Sequence, residues 1–288
     1  MNVVFTSHRV EFIEEFEKEA VKYNVIILEE PPNELLFSYF EGKIPKNEYL
    51  DKIDTTFPKY NSLYLELLKK LYLEGIKILQ IEPYLEKLNE IYRLIENGVV
   101  GGDDRVRRME KKATKAWIEY QEAFIKKDFD ELVEKTIKFA RVDAERFVIR
   151  DEMRAEKIAE VVDSINSEVL IEAGQIHILL PSMLEDYGFN VSTKSIPSEV
   201  AKRLGYNWTF NPGSELTIKY MTGEEVSESY EKVTAARALV YISMISKEEM
   251  LPSDEQKYPH LIDELKITNF VNSLDYERCK KIFEKIWL

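Results

Sequence analysis

One cysteine and three histidines among 288 residues leave little room for thiolate or imidazole chemistry. The lone Cys279 excludes an internal disulfide and a metal site built from several thiolates. It falls in a helical pattern near the C-terminus, where a half-buried, inert thiol is expected. Positive charge is also short. A net charge of −13 leaves no basic stripe to follow a phosphate backbone, so nucleic-acid partners are excluded. No run of about eighteen apolar residues occurs, which argues against a membrane span. The chain enters a strand almost at once, leaving no room for a signal peptide, and a cytoplasmic protein is expected.

What is present in quantity is Lys and Glu, with Ile and Tyr plentiful and Gln scarce, the composition of a thermophile's protein. A chain of this length buries about three quarters of its unfolded surface and needs no covalent staples.

The opening residues form a β-α-β pattern. Val3-Val4-Phe5 is a short apolar run followed by Thr6-Ser7-His8, and Phe12, Ile13, Phe16, Ala20 and Tyr23 then recur at helical spacing. Val25-Ile-Ile-Leu28 is a second buried strand, closed by Glu29-Glu30-Pro31-Pro32. The two strands should be parallel with a right-handed crossover. Residues 34–74 read as helices punctuated by Pro45 and Pro58 and stopped at Gly75, and Ile76–Ile81 is a third strand with Glu82 after it. Residues 84–149 read as a helical insertion, interrupted by a Gly-rich loop at 97–104 that has no P-loop spacing. A helix opening at Arg150-Asp151 then leads to the strand Val169-Leu-Ile171, which Gly174 ends three residues before His177. Pro181 opens a further helix ended by Gly188, residues 189–196 form a fifth strand at the sheet margin, and the rest is helical apart from an aromatic loop at 206–213. The expected architecture is α/β: a mixed, largely parallel sheet with flanking helices. A core domain over 1–198 contains the insertion, and a helical C-terminal region over 199–288 packs on it.

Ionisable groups follow the carboxyl end of each of the first four strands: His8, Glu29 and Glu30, Glu82, and His177. Open parallel sheets bind ligands at that edge. Two imidazoles with carboxylates and a guanidinium suit either a divalent metal site or a metal-free general base with an anion clamp. Each residue also has a plain structural role open to it. Ser7 or His8 can cap the first helix, Glu29-Glu30 can be a solvated turn, Asp151 can be an N-cap, and Arg150 can pair with a neighbouring acid. Glu172, inside the fourth strand, faces either the site or a salt bridge. His260, after Pro259 in a polar loop, is expected on the surface.

Four short motifs together carry a resemblance. Thr6-Ser7-His8, Glu29-Glu30, Arg150-Asp151-x-Met153-x-Ala155 and Gly174-x-x-His177, spread in order over residues 1–190, resemble the superfamily of TraB and pheromone-shutdown proteins, Tiki metalloproteases, ChaN-like haem-binding lipoproteins and erythromycin esterases. Phe5 and Ile176 stand where that superfamily usually has glycine. The resemblance implies an α/β core whose cleft is lined by His8, Glu29 or Glu30, Arg150 and His177. It implies hydrolysis of a peptide or ester, with Asp151, Glu82 and Glu172 in supporting or substrate-binding positions. The expected cofactor is one divalent ion (zinc, manganese or iron) on His8, Glu29 and His177, or none. The partner is a small-molecule or peptide substrate. The alternative is a regulatory protein that holds a peptide, haem or small ligand in the same cleft without cleaving it. A third reading is a scaffold that forms a homo-oligomer through the loop around Trp208 and the C-terminal helices.

Overall fold

Strands that are apolar on both faces suit a sheet covered by helices on either side, and the five strands among the described residues are all parallel, in the order β3-β2-β4-β1-β5. The computed structural model describes residues 1–53, 56–99, 104–165 and 167–287. Along the chain the elements are β1 (Asn2–Thr6), α1 (Ile13–Ala20), β2 (Val25–Leu28), α2 (Glu34–Phe40), α3 (Lys46–Leu50), α4 (Pro58–Leu73) and β3 (Lys77–Gln80). There follow α5 (Pro83–Glu96), α6 (Arg105–Lys126), α7 (Phe129–Val162), β4 (Val169–Gly174), α8 (Leu180–Asp186), β5 (Ser192–Ser195) and α9 (Ile196–Arg203). The chain ends in α10 (Pro212–Met221), α11 (Glu228–Met244), α12 (Pro259–Asn272) and α13 (Tyr276–Trp287). Positions 100–103 of the Gly-rich loop lie outside the described residues.

The residues divide into two units. The first comprises Met1–Glu86, Glu152–Asn207 and Lys247–Leu261, and the second Lys87–Asp151, Trp208–Ser246 and Ile262–Leu288. The helical insertion and most of the C-terminal helices therefore belong together rather than forming two separate additions. Their shared core explains this: Phe129, Leu132 and Ala140 of α7 are buried with Leu216 of α10, Leu239 and Val240 of α11, Val271 of α12 and Phe283 of α13. Cys279 lies fully inside that cluster, and burial pushes its thiol up to about 11.

In the first unit, Val3, Val25, Ile27, Val169, Ile171 and Ala173 face Ala155, Ile158 and Val162 of α7 and Leu180 and Leu184 of α8. Strand alternation turns Leu170 and Glu172 to the opposite face. Two sequence expectations are corrected here. Arg150 and Asp151 do not open a helix. α7 runs unbroken through them because no glycine or proline occurs between Phe129 and Val162 to end it. His260 is not on the surface but buried: its Nε2 accepts the Met250 N–H at 2.8 Å, and its own N–H donates to Glu11 at 2.9 Å, which binds the segment 247–261 into the first unit.

Candidate functional site

Parallel strands bring every βα turn to one edge, and in this chain the turns after β1, β2 and β4 carry the chemistry. Backbone pairing between β2 and β4 runs through Ile27 opposite Ile171. Beyond it two glutamates continue the join. The Glu29 N–H donates to Glu172 Oε2 at 3.0 Å, and the Gly174 N–H donates to Glu29 Oε2 at 2.6 Å. Both carboxylates are thereby fixed by main chain that the sheet holds rigid. The turn after β4 is closed by the His177 N–H donating to the Gly174 carbonyl at 3.1 Å. It delivers a buried His177 whose Nε2 lies 2.8 Å from Glu29 Oε1.

Arg154 supplies a guanidinium at this edge. Arg154 is fully buried. Its Nε donates to the Ile81 carbonyl at 3.0 Å, one terminal nitrogen donates to the Glu172 carbonyl at 2.6 Å, and the other stands 3.8 Å from Glu29 Oε2. It thus spans the carboxyl ends of β3 and β4 and offsets the charge of Glu29, the glutamate that follows β2. Arg150 falls in the second unit, with its guanidinium 5.5 Å from the Phe147 ring centre. Asp151 belongs to the second unit as well and is fully buried. A sequence signal for Arg154 exists: it shares a helix face with Ile158 and Ala155, and a lone charge on an apolar face is a group that has to find a buried partner.

Toward solvent the edge ends in His8. Its side chain is 55% exposed, whereas Glu172, whose Oε1 lies 3.8 Å from His8 Nε2, is 2% exposed. Tyr60, from the first turn of α4, stacks on the imidazole with ring centres 5.5 Å apart, and Tyr64 stacks on Tyr60 at 5.2 Å. Desolvation alone would lower the His8 pKa, but Glu172, with added charge from Glu29 and Glu30, outweighs it and raises the value above 6.5. Glu30 accepts from Gln80 Nε2 at 2.9 Å. Burial, with the negative charge of Glu172 and Glu29, pushes its carboxyl above the usual range. Burial likewise pushes the phenols of Tyr60 and Tyr64 well above theirs, so both stay neutral. Neither tyrosine stands out in the sequence, where Leu63, Leu67, Leu68 and Leu71 mark the apolar face of the same helix.

Glu82 is fully buried just before α5 and lines a cavity of about 170 Å³ with Gln80, Lys157 and Val161. One Glu29 oxygen is paired with His177 Nε2 and the other accepts the Gly174 N–H. Among the described residues no group of three or more His, Cys, Asp or Glu side chains is arranged to hold a metal ion, and no helix is long and apolar enough to cross a membrane.

No family model and no solved structure matches the chain. A protein of Archaeoglobus fulgidus, described as uncharacterized, is 40% identical over 287 residues, an alignment that covers 100% of this chain and 99% of the relative.

Proposed function

We propose that this chain, which belongs to the same family as the Archaeoglobus fulgidus protein, is a hydrolase of esters or peptides in which His8 is the general base. The observation that carries the reading is the pairing of an exposed imidazole with a buried carboxylate, His8 with Glu172 at 3.8 Å. A carboxylate held by the Glu29 N–H cannot swing away, so it orients the ring and stabilises the imidazolium that forms when His8 takes a proton from water. The water oxygen adds to the substrate carbonyl carbon. The bond to the leaving alcohol or amine then breaks, and His8 returns the proton to that leaving group. Glu29, His177 and Arg154 are positioning residues beneath the reacting groups, since each is bonded to another member of the site. The resemblance to the TraB, Tiki and erythromycin-esterase superfamily supports the same reaction class. The test is His8→Ala in a screen of esters and peptides. A loss of at least ~100-fold is expected, the scale of removing a general base, and unchanged turnover of a verified substrate would sink the proposal.

One observation favours a second reading, a cleft that binds without cleaving. Two of the residues matched to the superfamily, Glu29 and His177, are committed to each other rather than to a ligand. Stoichiometric capture of a ligand with no product after long incubation would decide for it.

A further inference from the structure

The carboxylates at the sheet edge are short of counter-charge. Glu29 has Arg154 beside it, but Glu30 and Glu172 do not share that cation as an ion pair. Glu30 is bonded through Oε2 to the neutral amide of Gln80, while Glu172 receives one backbone N–H and faces His8. Arg154 directs its remaining donors to the carbonyls of Ile81 and Glu172, and Arg9 is turned onto the Phe57 ring, 3.9 Å from its centre. Among the described residues, no Lys or Arg pairs with Glu30 or Glu172.

A second observation is independent of the charge count. Tyr64 is 7% exposed, and its hydroxyl has no hydrogen-bond partner. A buried hydroxyl left unpaired costs about 1–3 kcal/mol, a cost that a polar group reaching it would remove. The hydroxyl sits within the influence of Glu172, Glu30 and Glu29, and its ring continues the stack that begins at His8.

We infer that the substrate carries a primary ammonium group, which docks beside His8 among Glu30, Glu172 and the hydroxyl of Tyr64. An ammonium has three donors and no acceptor. The free oxygen of Glu30, Glu172 Oε1 and the Tyr64 oxygen are three acceptors. A divalent metal fits less well, because it needs oxygens converging at about 2.0–2.6 Å and no such set is present among the described residues. The inference deepens the hydrolase reading and rests on it for the placement of the amine next to the reacting carbonyl. Peptides and amino esters with a free amino group are the substrate class.

The experiment is a pair of measurements with the full chain. Calorimetric binding compares a set of amino acid amides with small, apolar and basic side chains against their N-acetyl counterparts. Hydrolysis compares the corresponding p-nitroanilides and methyl esters with and without the acetyl group. At least one free amine is expected to bind about tenfold or more tightly than its acetylated form. Glu30→Gln and Tyr64→Phe, which keep the shape of each side chain, should each erode that preference, and a trimethylated amine should bind less well than the primary one. Equal binding of all free and acetylated pairs overturns the inference, as does a preference that survives both substitutions. Hydrolysis that requires His8 but ignores acetylation overturns the inference while the hydrolase reading stands. An amine preference in binding, with no hydrolysis of any compound, leaves the ammonium site and removes the hydrolase.

Discussion

Glu172 Oε2 accepts the backbone N–H of Glu29 at 3.0 Å while its Oε1 faces His8 Nε2 at 3.8 Å, so one buried carboxylate ties strand β2 to the histidine beyond strand β1. The charge next to His8 therefore cannot relax away when the ring changes protonation. This rigidity has a measurable sign. The folded pKa of His8 lies above 6.5, so the stabilisation it contributes is complete below 6.5 and is lost as pH rises through the folded value. A general base acts in its neutral form, so activity must rise over the same interval in which that stabilisation disappears. The acid limb of a kcat/KM profile is expected to have its midpoint above 6.5, and Glu172→Gln should move it to lower pH. A limb that stays in place in the Glu172→Gln variant would show that another group titrates.

Arg154 is the buried cation of the edge and satisfies two main-chain carbonyls besides facing Glu29. Replacing it by methionine keeps the aliphatic volume but removes the guanidinium beside Glu29 and the donors it gives to both carbonyls. Removing one partner of a buried pair costs about 3–5 kcal/mol. Urea unfolding of Arg154→Met is expected to show a loss of that order. Arg150→Ala removes a partly exposed side chain, and a loss as large would contradict the assignment of Arg154 as the buried anchor.

The strands were legible because short apolar runs bounded by Gly, Pro and acidic residues have few other solutions. The convergence of His8, Glu29, Glu30 and His177 on one edge follows from parallel strands alone. Arg154 was not legible in the same way. The Arg150-Asp151 motif reads as a helix start in isolation, and only the absence of a breaker from 129 to 162 shows that the helix passes straight through. Tyr60 and Tyr64 were masked by the leucines that share their helix, since aromatic and aliphatic residues at helical spacing have the same periodicity. His260 was hidden by its polar neighbours, because local composition does not record that Met250 and Glu11 enclose it. The joining of residues 87–151 with the C-terminal helices depends on side chains far apart in sequence, which periodicity does not address.

Gly174 approaches Glu29 more closely than most residues would permit. A Cβ at this position would lie 3.3 Å from Glu29 Oε2 and 3.6 Å from His177 Cδ2. The carboxylate would have to shift by a few tenths of an ångström, yet it is bonded to the Gly174 N–H at 2.6 Å and to His177 at 2.8 Å. Gly174→Ala is expected to fold with a loss of about 1 kcal/mol, at the low end of the cost of overpacking, and to lower kcat more than it raises KM. A variant indistinguishable from the parent in both respects would mean that the Glu29–His177 pair is not held by the tightness of this turn.

Glu249 acts on the site from the far end of the first unit. The N-cap position of α4, Phe57, offers no side-chain acceptor, and the N–H groups of Lys59 and Tyr60 donate instead to the two oxygens of Glu249 at 3.0 and 2.7 Å. A carboxylate at a helix N-terminus satisfies orphan donors and meets the positive end of the helix dipole. The residue it caps through is Tyr60, whose ring lies on His8. Glu249→Ala should therefore do two things at once: reduce stability by about 1 kcal/mol, the usual cost of losing a cap, and release the first turn of α4 so that Tyr60 no longer holds the imidazole in place. Unfolding measurements read the first effect, and the histidine ring signals in an NMR titration read the second. If stability falls while the His8 titration is unchanged, the cap is structural only and the Tyr60 stack does not depend on it.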